Sequence, residues 1–186
     1  PVGPGPTVDV IISSCGRSTE LVRAVQSTLD QSYAATEIIV VDNRPAVGIA
    51  TAVIREAFGD WPRVRVISEP RQGVSAARNA GLQSATAQVV AFTDDDVQAD
   101  RLWLEELVNG FAVVPRASCV TGLILPSELE TIPQVLFEEF SGFSKGVGPA
   151  LFDIQAPPKD DRLFPYRLGI FGSGANSAFQ RADLLS

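Results

Sequence analysis

With 186 residues, 45% of them hydrophobic and 20% charged, the chain has the size and composition of one globular domain. Fifteen basic against 22 acidic residues leave a net charge of −7, which argues against a nucleic-acid partner and against adhesion to an anionic membrane surface, since both need a basic face. Histidine is absent, which removes Ser-His-Asp and Cys-His catalysis, imidazole-ligated zinc and imidazole proton transfer from this chain's own repertoire.

The opening residues 1–6 are rich in Pro and Gly and read as a flexible leader, with a single domain over 7–186. The β-branched run Thr7 to Ser13 predicts a strand, and apolar residues at helical spacing from Ser18 to Gln31 predict a helix with Ser18 as its N-cap. A second buried strand is expected over Glu37 to Asp42 and a helix over Val47 to Phe58. A third strand follows at Arg63 to Ser68, an Ala-rich helix at Ser75 to Ala85, and a fourth strand at Gln88 to Thr93. Beyond Asp94-Asp95-Asp96 come a helix over Arg101 to Val113 and a fifth strand over Ser118 to Leu125. This β-α-β-α order predicts a mostly parallel sheet with helices on both faces.

From Pro126 to Pro165 the pattern loosens into a short aromatic helix over Ile132 to Phe143 and a long Gly/Pro-marked connection. The chain thus divides into a regular first part, 7–125, and a looser second part, 126–186. No apolar run approaches the roughly 18 residues that span a bilayer. No signal peptide is recognised, and two cysteines make no disulfide framework, so a reduced, cytoplasmic protein is expected, with a peripheral place at the inner membrane face left open. Cys15 and Cys119 read as small buried residues.

In open α/β sheets, ligands sit beyond the carboxyl ends of the strands. Ser13 to Arg17, Asp42 to Arg44 and Asp94 to Asp96 all fall at such ends. Three adjacent carboxylates repel one another unless a cation compensates, and Mg²⁺ or Mn²⁺ is held by one or two carboxylates plus substrate phosphates. The other reading is a solvated loop capping the next helix; the place at the end of a fourth parallel strand favours the ion. Asp42 can accept from the imide N–H of a uracil ring or can form a turn before Asn43 and Pro45, and taken alone the turn is the better reading. Arg17, Arg71 and Arg78 offer guanidinium forks to phosphate. Gly172 to Asn176 lets backbone approach a ligand, with Asn176 as donor and acceptor, or is a glycine-rich bend into a buried strand. Phe137, Phe140, Phe143 and Tyr166 are candidates for an acceptor groove, although helical spacing of the first three favours core packing.

Five segments in order carry a resemblance. Val10 to Arg17 resembles the opening strand and turn of the inverting, A-type-fold glycosyltransferases of family 2. Glu37 to Asn43 is similar to their second strand with its uracil-contacting Asp, and Gly73 to Gly81 to their Gly-x-Ser-x-Ala-Arg-Asn-x-Gly segment. Val90 to Asp96 resembles the metal-binding Asp-x-Asp strand, and Gly174 to Arg181 the later Gly-x-Asn-x-Ala-Phe stretch. The resemblance implies a Rossmann-like nucleotide-diphospho-sugar transferase fold and metal-dependent, inverting transfer of a sugar from a nucleoside-diphosphate donor, most often UDP-linked, to a glycan, lipid or small-molecule acceptor. By position it implies nucleotide contacts from Ser13, Cys15, Arg17, Asp42, Arg78, Asp94 and Asp95. It also implies Mg²⁺ or Mn²⁺ on Asp96 with Asp94, sugar or acceptor contacts from Gly174 and Asn176, and hence a nucleotide-binding half, 7–125, followed by the start of an acceptor or sugar half, 126–186.

Departures are Ser14-Cys15-Gly16 in the first turn and Asn43-Arg44-Pro45 after the second strand, which loosen the link to a particular nucleotide. The family's catalytic base falls in an acidic motif downstream of the Gly-x-Asn segment, so the base is expected beyond Ser186. Glu138, Glu139, Asp153, Asp160 and Asp161 qualify by charge alone. The competing class is a non-catalytic nucleotide-sugar-binding module. A dinucleotide oxidoreductase is disfavoured because Gly-x-Gly-x-x-Gly is missing after the first strand.

Overall fold

The computed structural model describes residues 5–141, 148–166 and 171–186. Strands β1 (Val8–Ser14), β2 (Glu37–Asp42), β3 (Val64–Ser68) and β4 (Val89–Asp94) alternate with helices α1 (Ser18–Leu29), α2 (Ile49–Phe58) and α3 (Val74–Ser84). Each strand–helix–strand step returns the chain to the same end of the sheet. The pairs β1–β2, β1–β4 and β2–β3 are accordingly parallel. After α4 (Trp103–Val113) come β5 (Cys119–Thr121), α5 (Ile132–Ser141), β6 (Ser177–Gln180) and α6 (Arg181–Leu184). The sheet order is β3-β2-β1-β4-β6-β5, with β6 antiparallel to both β4 and β5. The expected α/β architecture with a mostly parallel sheet is what the chain forms.

Alternation along β1 explains why both faces are covered. Val8, Val10 and Ile12 face a cluster with Leu21 and Val25 of α1, Ala50 and Ile54 of α2, and Trp103, Leu104, Leu107 and Phe111 of α4. Ile11 faces the other way, joining Ile39, Val41, Val90 and Phe92 with Ala77 and Leu82 of α3. Each such fully buried Ile, Leu or Val contributes about 1.5–3 kcal/mol of transfer free energy. Helix α3 lies close on β1 because Gly81 has no side chain: a Cβ there would sit 2.5 Å from Ile11 Cγ2. That close approach carries Arg78, one turn earlier in α3, to the carboxyl edge of the sheet.

Several expectations are corrected. Ser18 is the first helical residue of α1, and the N-cap position belongs to Arg17, which makes no side-chain cap bond. The fifth strand is three residues long rather than eight, since β5 pairs solely with the four-residue β6. Both cysteines are exposed: Cys15 lies in the turn after β1 and Cys119 on the edge strand β5. Phe137 and Phe140 of α5 are exposed, as is Tyr166, so helical spacing does not signal core there. Phe143 lies outside the described residues. Among the described residues no helix is long and apolar enough to cross a membrane.

Candidate functional site

Parallel register sets the polar strand ends side by side. Ser13 stands opposite Asp94, Ser14 opposite Asp42, and Asp42 opposite Ser68. Beyond this edge lies a cleft of about 220 Å³ lined by Ser13, Ser14, Cys15, Arg17, Asn43, Val74, Asp94, Asp95 and Asp96. Two turns shape it through glycines in the left-handed region: Gly16 at φ 105° redirects the chain from β1 into α1, and Gly73 at φ 125° does so before α3.

The three aspartates are not equivalent. Asp95 is buried and its Oδ2 accepts from Ser14 Oγ at 2.7 Å, while Ser14 Oγ accepts in turn from Gly16 N at 3.1 Å. This chain of bonds fixes the β1–α1 turn against the end of β4. Asp94 and Asp96 keep 37% and 45% of their side-chain surface exposed. Arg78 Nη2 donates to Asp94 Oδ1 at 2.9 Å. Arg17 Nη1 pairs with Asp96 Oδ2 and lies 3.8 Å from Asp95 Oδ1. Two guanidinium groups therefore offset part of the charge of three adjacent carboxylates.

The remaining sequence candidates fall around this centre. Asp42 is buried and does not line the cleft. Its Oδ1 accepts from Arg44 N at 3.0 Å and its Oδ2 from Thr51 Oγ1 at 2.9 Å, which is the turn-forming alternative. Gly174 lies against Arg78, whose Nη1 would collide with any Cβ added at position 174. Asn176 is buried, and its amide is spent on structure: Oδ1 accepts from Trp103 Nε1 at 2.8 Å and Nδ2 donates to Leu123 O at 2.8 Å. It stands at the glycine-rich bend into the buried strand β6. Arg71 turns back to Glu69, with Nε and Nη2 donating at 3.0 and 2.8 Å. Those bonds hold the Glu69 carboxyl down at about 2, well below the usual carboxylate range. Asp153 pairs with Arg116 at 3.0 Å and does not line the cleft.

Three cleft residues were given no individual role from the sequence, although Ser14 and Asn43 fall within the strand-end clusters named there. Ser14 and Val74 carry no separate signal. Asn43 had one: an Asn placed after a strand end can bond backbone on two sides. Its Nδ2 donates to Glu69 O and Arg71 O at 2.9 and 2.7 Å, and its Oδ1 accepts from Gly73 N at 2.8 Å. Asn43 thereby ties the end of β2 to the loop that launches α3.

Comparison with known proteins finds relatives for most of the chain. The model of the family described as Glycosyl transferase family 2 matches residues 9–182. The glucosyl-dolichyl phosphate glucuronosyltransferase of Haloferax volcanii is 30% identical over 135 residues, 72% of this chain and 42% of that protein. The succinoglycan biosynthesis protein ExoO of Rhizobium meliloti is 37% identical over 100 residues, 52% of this chain and 28% of that one. Among solved structures, the Pyrobaculum calidifontis mannosyltransferase PcManGT in complex with GDP-Man and Mn²⁺ superposes with TM-score 0.59 at 24% identity, over 67% of this chain and 37% of that chain. Staphylococcus aureus TarS (residues 1–349) superposes with TM-score 0.62 at 18% identity, over 96% of this chain and 48% of that chain. These two likenesses speak for the fold. The chain spans less than half the length of each of these four proteins.

Proposed function

This chain belongs to glycosyl transferase family 2, and on that premise we propose that its cleft binds a nucleoside-diphosphate sugar, UDP-linked, for metal-dependent transfer of the sugar with inversion. The observation that carries the reading is the gathering of Asp94, Asp95 and Asp96 with Arg17 and Arg78 at the carboxyl edge of a parallel sheet. The complex of PcManGT with GDP-Man and Mn²⁺ lends support to the nucleoside-diphosphate sugar and to the divalent metal, though not to UDP over GDP.

The donor set fits Mg²⁺ or Mn²⁺, because it consists of hard carboxylate oxygens on two partly exposed residues, Asp96 and Asp94. Among the described residues there is no group of three or more acidic, Cys or His side chains able to hold a metal. Phosphate oxygens would then complete the coordination, the usual arrangement for Mg²⁺. Bound there, the ion supplies Lewis-acid compensation for charge on the departing diphosphate.

The chain's own residues do the rest of the donor binding. Asp95, locked by Ser14, holds the β1–α1 turn in register with the metal-facing carboxylates. Arg17 and Arg78 present forked donors that match phosphate oxygens. Cys15 and Val74 offer the cleft an apolar wall against a base. Gly174 leaves room for the Arg78 guanidinium, and so acts on the donor through that arginine. The acceptor is a glycan, lipid or small molecule bearing a nucleophilic hydroxyl.

Isothermal titration of UDP, GDP and NAD with and without Mn²⁺ tests the reading. Binding of UDP that requires Mn²⁺ and disappears in Asp96→Ala is the expected result. Binding of NAD without metal overturns it, and tighter binding of GDP than UDP overturns the choice of nucleotide. Turnover of a UDP-sugar, compared between this chain and one extended past Ser186, separates an enzyme from a nucleotide-sugar-binding module.

A further inference from the structure

The two arginine–aspartate pairs of the cleft differ in how firmly they are held. Arg78 is mostly covered, packs over Gly174, and is carried by α3 where that helix lies closest to β1. Arg17 is 57% exposed and rises from the N-cap position of α1, across the cleft from β4. Its partner Asp96 is 45% exposed. A solvent-exposed pair of this kind is weak and exchanges partners readily. Arg17 is also placed over Asp96, one of the two carboxylates the cleft offers to a cation.

Charge bookkeeping at the cleft then has a consequence for each ligand taken alone. A divalent cation arriving without diphosphate must displace Arg17 from Asp96 and leaves that guanidinium without an anion. A diphosphate arriving without the cation draws Arg17 away and leaves Asp96 facing phosphate oxygens. When both arrive together, Arg17 moves to the phosphates and Asp96 takes the cation, so neither member of that pair is left without a counter-charge.

Resting on the donor reading given above, we propose that Arg17 is the positioning residue that couples cation to diphosphate. It holds Asp96 neutralised until the diphosphate takes its guanidinium, so each ligand raises the cleft's affinity for the other. Linkage makes the effect reciprocal, and couplings of roughly 5- to 150-fold are the ordinary range. The step is an exchange of ion-pair partners, with no bond made or broken.

Mn²⁺ binding to the wild type, Arg17→Gln and Arg71→Gln is measured by the electron paramagnetic resonance of free Mn²⁺, each without UDP and with UDP at saturation. Association of Mn²⁺ with UDP in solution is common to all three and cancels in the comparison. In the wild type UDP is expected to tighten Mn²⁺ binding. In Arg17→Gln, Mn²⁺ alone is expected to bind roughly fivefold tighter or more, and the enhancement by UDP to shrink by a similar factor. Arg71→Gln removes an equal charge from an arginine that pairs with Glu69 outside the cleft, and is expected to behave as the wild type.

The inference is overturned if Arg17→Gln leaves Mn²⁺ affinity and its enhancement unchanged, or if Arg71→Gln changes them as much. If the wild type binds no UDP with Mn²⁺, the donor reading falls and this inference with it. If it does bind them and Arg17→Gln is silent, the inference alone falls.

Discussion

Replacing Asn176 with alanine separates two roles that the sequence alone leaves open, a ligand contact and a structural bolt. In the structure the amide accepts from the indole Nε1–H of Trp103 and donates to Leu123 O, both at 2.8 Å, and Asn176 and Trp103 are both buried. Alanine deletes both bonds and leaves the indole N–H without a partner. Each lost bond costs about 1 kcal/mol net, and an orphaned buried donor adds about 1–3 kcal/mol, so a loss of roughly 3–5 kcal/mol is expected. In a domain of this size that lowers Tm by roughly 6–20 °C. Urea denaturation of Asn176→Ala, Trp103→Phe and the double variant measures the coupling directly. Trp103→Phe removes the orphaned donor, so the double variant is expected to be more stable than the sum of the single losses implies, by about 0.5–3 kcal/mol. Additive losses, or an unchanged Tm in Asn176→Ala with donor binding abolished, would refute the structural role.

Three other perturbations probe neighbouring parts of the same architecture. Gly174→Ala pushes the Arg78 guanidinium, a movable group, away from Asp94; UDP–Mn²⁺ affinity by calorimetry is expected to fall roughly tenfold, about 1.4 kcal/mol, with Tm nearly unchanged. Gly81→Ala forces a Cβ to 2.5 Å from Ile11 Cγ2 in the core, where neighbours have little room to yield. It should cost about 1–3 kcal/mol despite the better helix propensity of Ala, as read from the urea midpoint. Glu69 titrates at about 2 when folded because Arg71 bonds its carboxylate, against an ordinary value of 4.5. Its folded pKa is depressed, so its contribution to stability is present above pH 4.5 and lost as pH falls through 2. The stability gap between wild type and Glu69→Gln is therefore expected to close over that window in acid denaturation; a gap that widens toward low pH would contradict the pairing.

The parallel half of the fold was legible because its signals are local. Runs such as Glu37–Asp42 are apolar enough to be buried on both faces, and the intervening helices carry their apolar residues at helical spacing. The place of β6 was not legible. Four residues, Ser177–Gln180, settle between β4 and β5 in antiparallel sense, a choice made by partners more than 50 residues away along the chain. The apolar residues of α5 misled for a related reason. Ile132 and Phe140 repeat at the spacing of a core-facing helix, yet they remain exposed, because periodicity states which side is apolar and not whether anything covers it.

The same distinction governs the cleft. In the sequence Asp94, Asp95 and Asp96 are three copies of one residue, and chemistry assigns them one property, negative charge in need of a counter-ion. What separates them is the turn by which the chain leaves β4 at Asp94: it brings Asp95 against Ser14 and leaves Asp94 and Asp96 partly exposed at the cleft. Parallel register then decides which arginine meets which carboxylate. Arg78 comes from the helix leading into β4 and Arg17 from the helix leaving β1, so the triplet is gripped from two sides by groups held with unequal firmness. A run of like charges thereby becomes a site with a fixed member, a covered pair and an exposed pair. Only an exposed pair at that point can open for a ligand without disturbing the sheet beneath it.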